Sequence, residues 1–275
     1  MTTEEILALS LSLAGLTEVP ADTAIHVPGP SIRRVLAGID LEGPKLLWAK
    51  SQGFDLVFTH HPPGGLSALR FGQVLWRHVE LMVAYGVPED VAQAAAELIR
   101  EHRLLDQARN YLRLPEFARK LGIAYMNIHT PLDEIGRRRL VEAVSELSPK
   151  DKAEDLLLHL REKFGEFRHA ATEMEVVLGS SRNPLGKAAV IHGAGTNGGY
   201  PVAKALYDHG VDTIIYILST SAPTRPIGWP RSTREKGKNL VVTGHITSDS
   251  LGINPFLSAL RERGLWVETL DVVAP

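Results

Sequence analysis

Short runs rich in Val, Ile and Leu recur along the chain, with amphipathic stretches between them. The apolar runs are Arg34–Asp40, Asp55–His60, Ala124–His129, Val176–Ser180, Ala188–His192, Thr213–Leu218, Asn239–His245 and Trp266–Val272. Their length and β-branched content predict buried strands. Helical periodicity marks Gly43–Gln52, Leu66–Tyr85, Pro88–His102, Asp133–Leu147, Lys152–Phe164, Tyr200–His209 and Ser250–Arg263. At the start, "MTTEEILALSLSLAGL" spaces Thr2 and Glu5 as a capping box before an apolar-periodic run, which predicts a docking helix rather than a secretory signal. Strands alternating with helices predict α/β layers around a mixed or parallel sheet. From Leu66 to Leu121 the pattern is almost entirely helical, as expected of a helical cap inserted between two core strands. Ser180–Ala188 and Ser219–Asn239 read as loops, and the second is long, Pro-rich and basic, a pattern of functional loops and flaps.

Composition narrows the chemistry. With 275 residues, 44% of them hydrophobic, the chain can bury one large core or two lobes. A formal net charge of −2 supplies no global basic field, which argues against nucleic acid as the partner. There is no cysteine, so disulfides, thiolate metal sites and cysteine nucleophiles are excluded, and any metal must be held by His, Asp, Glu or backbone oxygen. The N-terminal run is too short and too polar at its start to span a membrane, and the expectation is a cytoplasmic protein. No G-x-S-x-G element points to a serine hydrolase.

Four apolar runs end in histidine: "DLVFTHH", "AYMNIHT", "AAVIHGAG" and "LVVTGH". Ligands of open α/β sheets gather beyond the carboxyl ends of the strands, so histidines from distant segments can converge there. The first run carries a tandem pair, His60 and His61, followed by Pro62, Pro63, Gly64 and Gly65. Two others share a His-x-x-x-Asp unit, His129 with Asp133 and His245 with Asp249. Positions i and i+4 share a face of a helical first turn, so each unit can offer an imidazole and a carboxylate to one point. A lone strand-end histidine is ordinarily a cap or a satisfied core residue, and His192, with no carboxylate four residues on, is read that way. Four imidazoles and two carboxylates exceed what one ion recruits, and two ions would use them well. This donor set suits Zn, Fe, Mn, Co or Ni better than Ca. His78, His102, His159, His169 and His209 lie in helical or linker patterns and are read as solvated.

Gly193-Ala-Gly195-Thr-Asn-Gly198-Gly199 matches G-x-G-x-x-G after a strand and before a helix. The strand after it ends in Ser219 rather than an acidic residue for a ribose, which favours a tight turn over a dinucleotide site, with phosphate binding at the helix start as the alternative. The basic stretches Gly136–Leu140 and Arg231–Lys238 are read as solvated surface, or as a guide for an anionic substrate.

"DLVFTHHP", "NIHTPLD" and "TGHITSDSLG", in this order, resemble the motifs of the NGG-interacting-factor-three-like (NIF3-like) family of dinuclear metal-centre proteins, whose members are also labelled type 2 GTP cyclohydrolase I. The resemblance extends over most of the chain. It implies two related α/β lobes with mixed sheets, a hexameric ring, and a pair of divalent metals. Carried over by position, His60, His61, Asp133 and His245 match the metal ligands, and His129 matches a motif histidine beside the metals, where it can move a proton. Asp249 stands where the family usually has glutamate. The expected division is a first lobe over 1–150, including the helical insertion 66–121, and a second over 151–275, whose motif at 243–252 packs back on the first. The expected function is metal-dependent hydrolysis of a nucleotide or another phosphorylated metabolite, with a non-catalytic metal-storage, metal-delivery or protein-interaction ring as the alternative.

Overall fold

A computed structural model describes residues 1–99, 110–217 and 237–275. The ends of the predicted helix Pro88–His102 and strand Thr213–Leu218, most of the Ser219–Asn239 loop, and most of the basic stretch Arg231–Lys238 lie outside the described residues, as does His102.

The apolar runs build two sheets. In the first, β1 (Ala24–Val27) pairs antiparallel with β4 (Ala124–Asn127), and β3 (Leu56–Thr59), β2 (Arg34–Gly38) and β9 (Trp266–Leu270) follow in parallel, giving the order β1-β4-β3-β2-β9. The second has the order β5-β8-β7-β6, from β5 (Glu175–Leu178), β6 (Ala188–Ile191), β7 (Thr213–Tyr216) and β8 (Asn239–Val242), with only β5 antiparallel. The plan repeats. In each sheet the earliest strand is an antiparallel edge beside the last of three parallel strands, and the first sheet adds β9. The two α/β lobes with mixed sheets are thus topologically related.

Side-chain alternation puts an apolar layer on each face of each sheet. Val35, Ala37, Leu56, Phe58 and Met126 pack with Ile6 of α1 (Thr3–Ala14) and with Phe256 and Leu260 of α12 (His245–Glu262). Their alternates Leu36, Val57 and Tyr125 pack with Leu46 and Ala49 of α2 (Gly43–Ser51) and with Leu114 and Ala118 of α7 (Arg113–Leu121). Strands covered on both faces read as continuous apolar runs, which is why β3, β4 and β7 are buried at every position. Thr2 and Glu5 form the expected capping box of α1. On the second sheet, Val190, Ile215 and Val241 meet α8 (Thr130–Ser145) and α9 (Ala153–Lys163) through Leu140, Leu156 and Leu160. Ala189, Ile191, Ile214 and Tyr216 face the opposite layer. A short helix, α10 (Gly165–His169), follows α9.

The helical insertion follows the core rather than the chain. Among the described residues its periodicity resolves into α3 (Gly65–Leu69), α4 (Phe71–Val74), α5 (Arg77–Ala84), α6 (Glu89–Glu97) and α7. Val79 and Met82 of α5 and Ala92, Ala95 and Ala96 of α6 pack with α11 (Gly199–Asp208) on the second sheet. One compact unit accordingly comprises Met1–Val74, His102–Ile135 and Gly252–Val272, and the other comprises Leu75–Glu101, Gly136–Leu251 and Val273–Pro275. This differs from a contiguous split into 1–150 and 151–275. Both faces of the first sheet are already covered by α1, α2, α7 and α12, so the apolar stripes of α5 and α6 are buried on the second.

The glycine-rich segment is a tight turn. Gly193, Gly195, Gly198 and Gly199 have φ of 80°, 74°, 72° and 61°, and a Cβ on Gly198 would stand 2.3 Å from Val202. Thr196 and Asn197 spend their side chains on the turn, accepting from the amides of Gly198 and Gly199. His78, expected to be solvated, is fully buried against this turn, with Nε2 3.2 Å from Thr196 Oγ1. His169 is exposed and His159 and His209 are partly exposed.

Candidate metal centre

In the first unit β3 ends at Thr59 and the tandem histidines lie in the bend that follows it. The consecutive amides of His60 and His61 both donate to the end of β2, to the carbonyls of Gly38 and Ile39 at 2.8 and 3.1 Å, which breaks strand alternation and leaves the two rings near each other. His60 is fully buried, and His61 keeps 22% of its side chain exposed. The apparent conflict of two adjacent histidines is resolved by one inward ring and one ring at the opening.

His129 arrives from β4. Its amide donates to Thr23 Oγ1 at 3.1 Å, and α8 begins at the next residue. Asp133 lies one turn on, its amide donating to the His129 carbonyl at 3.1 Å, which is the shared face the i, i+4 spacing anticipates. The ring centroids are 4.7 Å apart for His60 and His129, 5.2 Å for His60 and His61, and 5.7 Å for His61 and His129. One potential ligand nitrogen from each of the three lies within 4.8 Å of the others, so these imidazoles can hold a metal ion.

All three rings are anchored through Nδ1. His60 Nδ1 donates to the Ile128 carbonyl at 3.0 Å, His61 Nδ1 to Asp40 Oδ1 at 2.9 Å, and His129 Nδ1 to Asp22 Oδ2 at 2.6 Å. Metal-bound histidines characteristically donate their second ring N–H to a carbonyl or carboxylate in this way. His60 Nε2 is 3.1 Å from Asp133 Oδ1. With Nδ1 as the donor, that contact sets a ring lone pair against a carboxylate oxygen, and it calls for a positive centre, either a second ring proton or a cation. Burial lowers the pKa of His129, but the Asp133 and Asp22 carboxylates outweigh it, and the balance is upward despite His61 nearby.

Asp22 and Asp40 are the neighbours that motif reasoning does not supply. Asp22 is fully buried and also accepts from Thr130 Oγ1 at 2.7 Å. It precedes β1, a four-residue strand with His26 at its centre that no apolar run announces. Asp40 ends a predicted strand, and its proximity to His61 follows from the parallel pairing of β2 with β3.

A cavity of about 280 Å³ opens beside His61. Asp40, Glu42, Thr59, Asn110, Tyr111 and Arg113 contribute to its wall. The Gly65 amide donates to the Tyr111 carbonyl at 2.7 Å, fixing the Tyr111 segment against the loop after His61.

In the second unit His245 opens α12, and its Nε2 is 3.3 Å from Asp249 Oδ2. The pair therefore adopts the arrangement its spacing anticipates, at the position after β8 that matches His129 and Asp133 after β4. His245 keeps 39% of its side chain exposed, whereas Asp249 is buried at 1%. His192 is buried at the end of β6, in keeping with a core role. Of the Gly136–Leu140 arginines, Arg138 is exposed, while Arg139 donates to the Leu251 carbonyl at 2.6 Å and lies over the Phe164 ring. Arg139 is structural rather than a guide at the surface. No helix among the described residues is long and apolar enough to cross a membrane.

No protein-family model matches the chain, and no curated protein does. Solved structures do. Reduced HcgD from Methanocaldococcus jannaschii is 16% identical over 98% of each chain, with a TM-score of 0.58. A Bacillus cereus protein related to NIF3 is 12% identical, covering 98% of this chain and 96% of that one, with a TM-score of 0.54. These two show a shared fold. A NIF3 superfamily protein from Sphaerobacter thermophilus is 43% identical over 98% of each chain, with a TM-score of 0.91. With that identity along nearly its whole length, this chain belongs to the NIF3 superfamily, the family its tandem-histidine and His-x-x-x-Asp motifs resemble.

Proposed function

We propose that the protein binds two divalent ions through His60, His61, Asp133, His245 and Asp249, and acts as a metal-dependent hydrolase on a nucleotide or another phosphorylated metabolite. The observation that carries the metal reading is the anchoring of three converging imidazoles through Nδ1, with His60 Nε2 set 3.1 Å from a buried carboxylate. The donors are imidazole nitrogen and carboxylate oxygen, which fit Zn, Fe, Mn, Co or Ni. Divalent ions held there supply Lewis-acid polarisation of an electrophile and acidify nearby water.

The side chains divide the remaining work. His129, anchored by Asp22, takes up and returns a proton, with Nδ1 tied and Nε2 as the exchanging nitrogen. His61 and Asp40 border the cavity, which has room for one small metabolite rather than a polymer. Arg113 on its wall offers a guanidinium to a phosphate. That cavity favours catalysis over the alternative, a non-catalytic ring for metal storage, delivery or protein interaction. Assembly into a hexamer belongs to the same proposal and rests on the family.

The test is metal analysis of tag-free protein, reloading with each candidate ion after chelation, and turnover on a panel of nucleotides and phosphoesters. His60→Ala and Asp133→Ala should lose at least one of the two ions, and turnover with it, while the circular dichroism spectrum is kept. His129→Gln should retain metal and lose about 10²–10⁴-fold in rate. A wild-type chain that exchanges metal readily but turns over nothing on the panel would support the storage or delivery reading. Sedimentation as a monomer with metal present would reject the hexamer.

A further inference from the structure

We infer that Asp22 and Asp40 are positioning residues of the metal centre, holding His129 and His61 in the tautomer that carries the proton on Nδ1. The inference rests on the metal reading proposed above and adds two residues that neither the motifs nor the ligand set contains.

An ionised aspartate only accepts hydrogen bonds. His129 Nδ1 lies 2.6 Å from Asp22 Oδ2, and His61 Nδ1 lies 2.9 Å from Asp40 Oδ1. In each pair the ring must be the donor at Nδ1. A neutral imidazole then carries its lone pair on Nε2, the nitrogen that can take a metal or a proton. His60 reaches the same tautomer through the Ile128 carbonyl at 3.0 Å, which also can only accept. Three rings from two segments are thus set in one tautomeric state by three different acceptors.

Asp22 is built for this task. It is fully buried, and Oδ2 also receives Thr130 Oγ1 at 2.7 Å, while Oδ1 lies 3.3 Å from Thr23 Oγ1 and 3.4 Å from the Thr130 amide. The Asn127 side-chain amide donates to the Asp22 backbone carbonyl at 2.6 Å, fixing the chain on which the carboxylate sits. The carboxylate can neither rotate away nor be replaced by water without stranding donors. Asp40 is held less firmly, with 59% of its side chain exposed. Its backbone carbonyl accepts from Lys45 Nζ at 2.9 Å. A buried charge-assisted bond is stronger than one shared with water, so Asp22 should fix its ring more firmly than Asp40 does.

Two measurements test the assignment. In metal-free wild-type protein at pH 8, two-bond ¹H–¹⁵N correlation of the histidine rings should show His61 and His129 protonated on Nδ1. The Nε2-protonated form in both rings would overturn the inference. In the second measurement, Asp22→Asn and Asp40→Asn are loaded with Co(II), read by visible absorption, and titrated with Zn(II) against a competing chelator. Asp40→Asn, which frees the proposed ligand His61, should weaken metal affinity by about 10–100-fold and shift the Co(II) bands, the range seen when such outer partners are lost. Asp22→Asn, which frees His129, should keep its metal and lose the Nδ1-protonated form of that ring. Wild-type affinity and an unchanged Co(II) spectrum in Asp40→Asn would also overturn it. Should Asp22→Asn fail to fold, Asp40→Asn at its exposed position and the ring tautomers still decide. A wild-type chain that takes up no metal would instead sink the metal reading, while the tautomers still report on Asp22 and Asp40.

Discussion

Lowering the pH should destabilise this protein through His78. The ring is fully buried beside the glycine-rich turn, and burial pushes its pKa from 6.5 down to about 3. The folded state therefore holds His78 neutral, whereas the unfolded chain protonates it first. With the folded pKa below the unfolded one, the contribution to stability is fully present above about pH 6.5 and is lost progressively as pH falls towards 3. At pH 5 the unfolded chain lies about 1.5 units below its pKa and the folded protein still carries no charge there, which amounts to about 2 kcal/mol at roughly 1.4 kcal/mol per unit. His26, lowered to about 4 by burial and only partly restored by Asn127, acts in the same direction. The assay is urea unfolding of chelator-treated protein at pH 7.5 and pH 5, for wild type and His78→Asn. The variant should lose about 2 kcal/mol less than wild type between the two conditions, whatever its stability at pH 7.5. The ring Cε1–H shift of His78 should stay flat over the same range. Equal pH sensitivity of the two proteins, or a His78 resonance that titrates near 6.5, would refute the burial argument.

Two further outcomes are expected. On the proposed two-ion centre, Asp249→Ala should weaken one ion and leave the other in place, because Asp249 and His245 sit on a different segment from His60, His61 and Asp133, and Asp249→Glu should restore or tighten the weaker ion; unchanged metal affinity in Asp249→Ala, by equilibrium dialysis, would remove Asp249 from the ligand set. Phe58→Ala should cost about 3–5 kcal/mol in unfolding experiments, since the ring is fully buried edge-on to Phe256 in the core of the first sheet, and a loss below about 1 kcal/mol would mean that the site collapses around the deletion.

The sequence by itself determined the parts of this protein that depend on near neighbours. Strands buried on both faces show as continuous apolar runs, which made β3, β4 and β7 legible, and among the described residues β1 alone of the strands has no apolar run to mark it. The His-x-x-x-Asp units were legible because a helical turn brings positions i and i+4 together whatever surrounds it, and His129 with Asp133 and His245 with Asp249 adopt that relation. The tertiary structure decided what depends on distant partners. Asp22 is separated from His129 by 107 positions, and Ile128 from His60 by 68, so no local pattern could mark either as an anchor. β1 is interrupted by a histidine and so does not register as an apolar run, yet it completes the sheet edge that Asp22 precedes. The burial of His78, and the allocation of α5 and α6 to the second sheet, were likewise invisible in the chain. An apolar stripe says that a helix face must be buried, but which sheet buries it is settled only when the competing helices α1, α2, α7 and α12 have already covered the other.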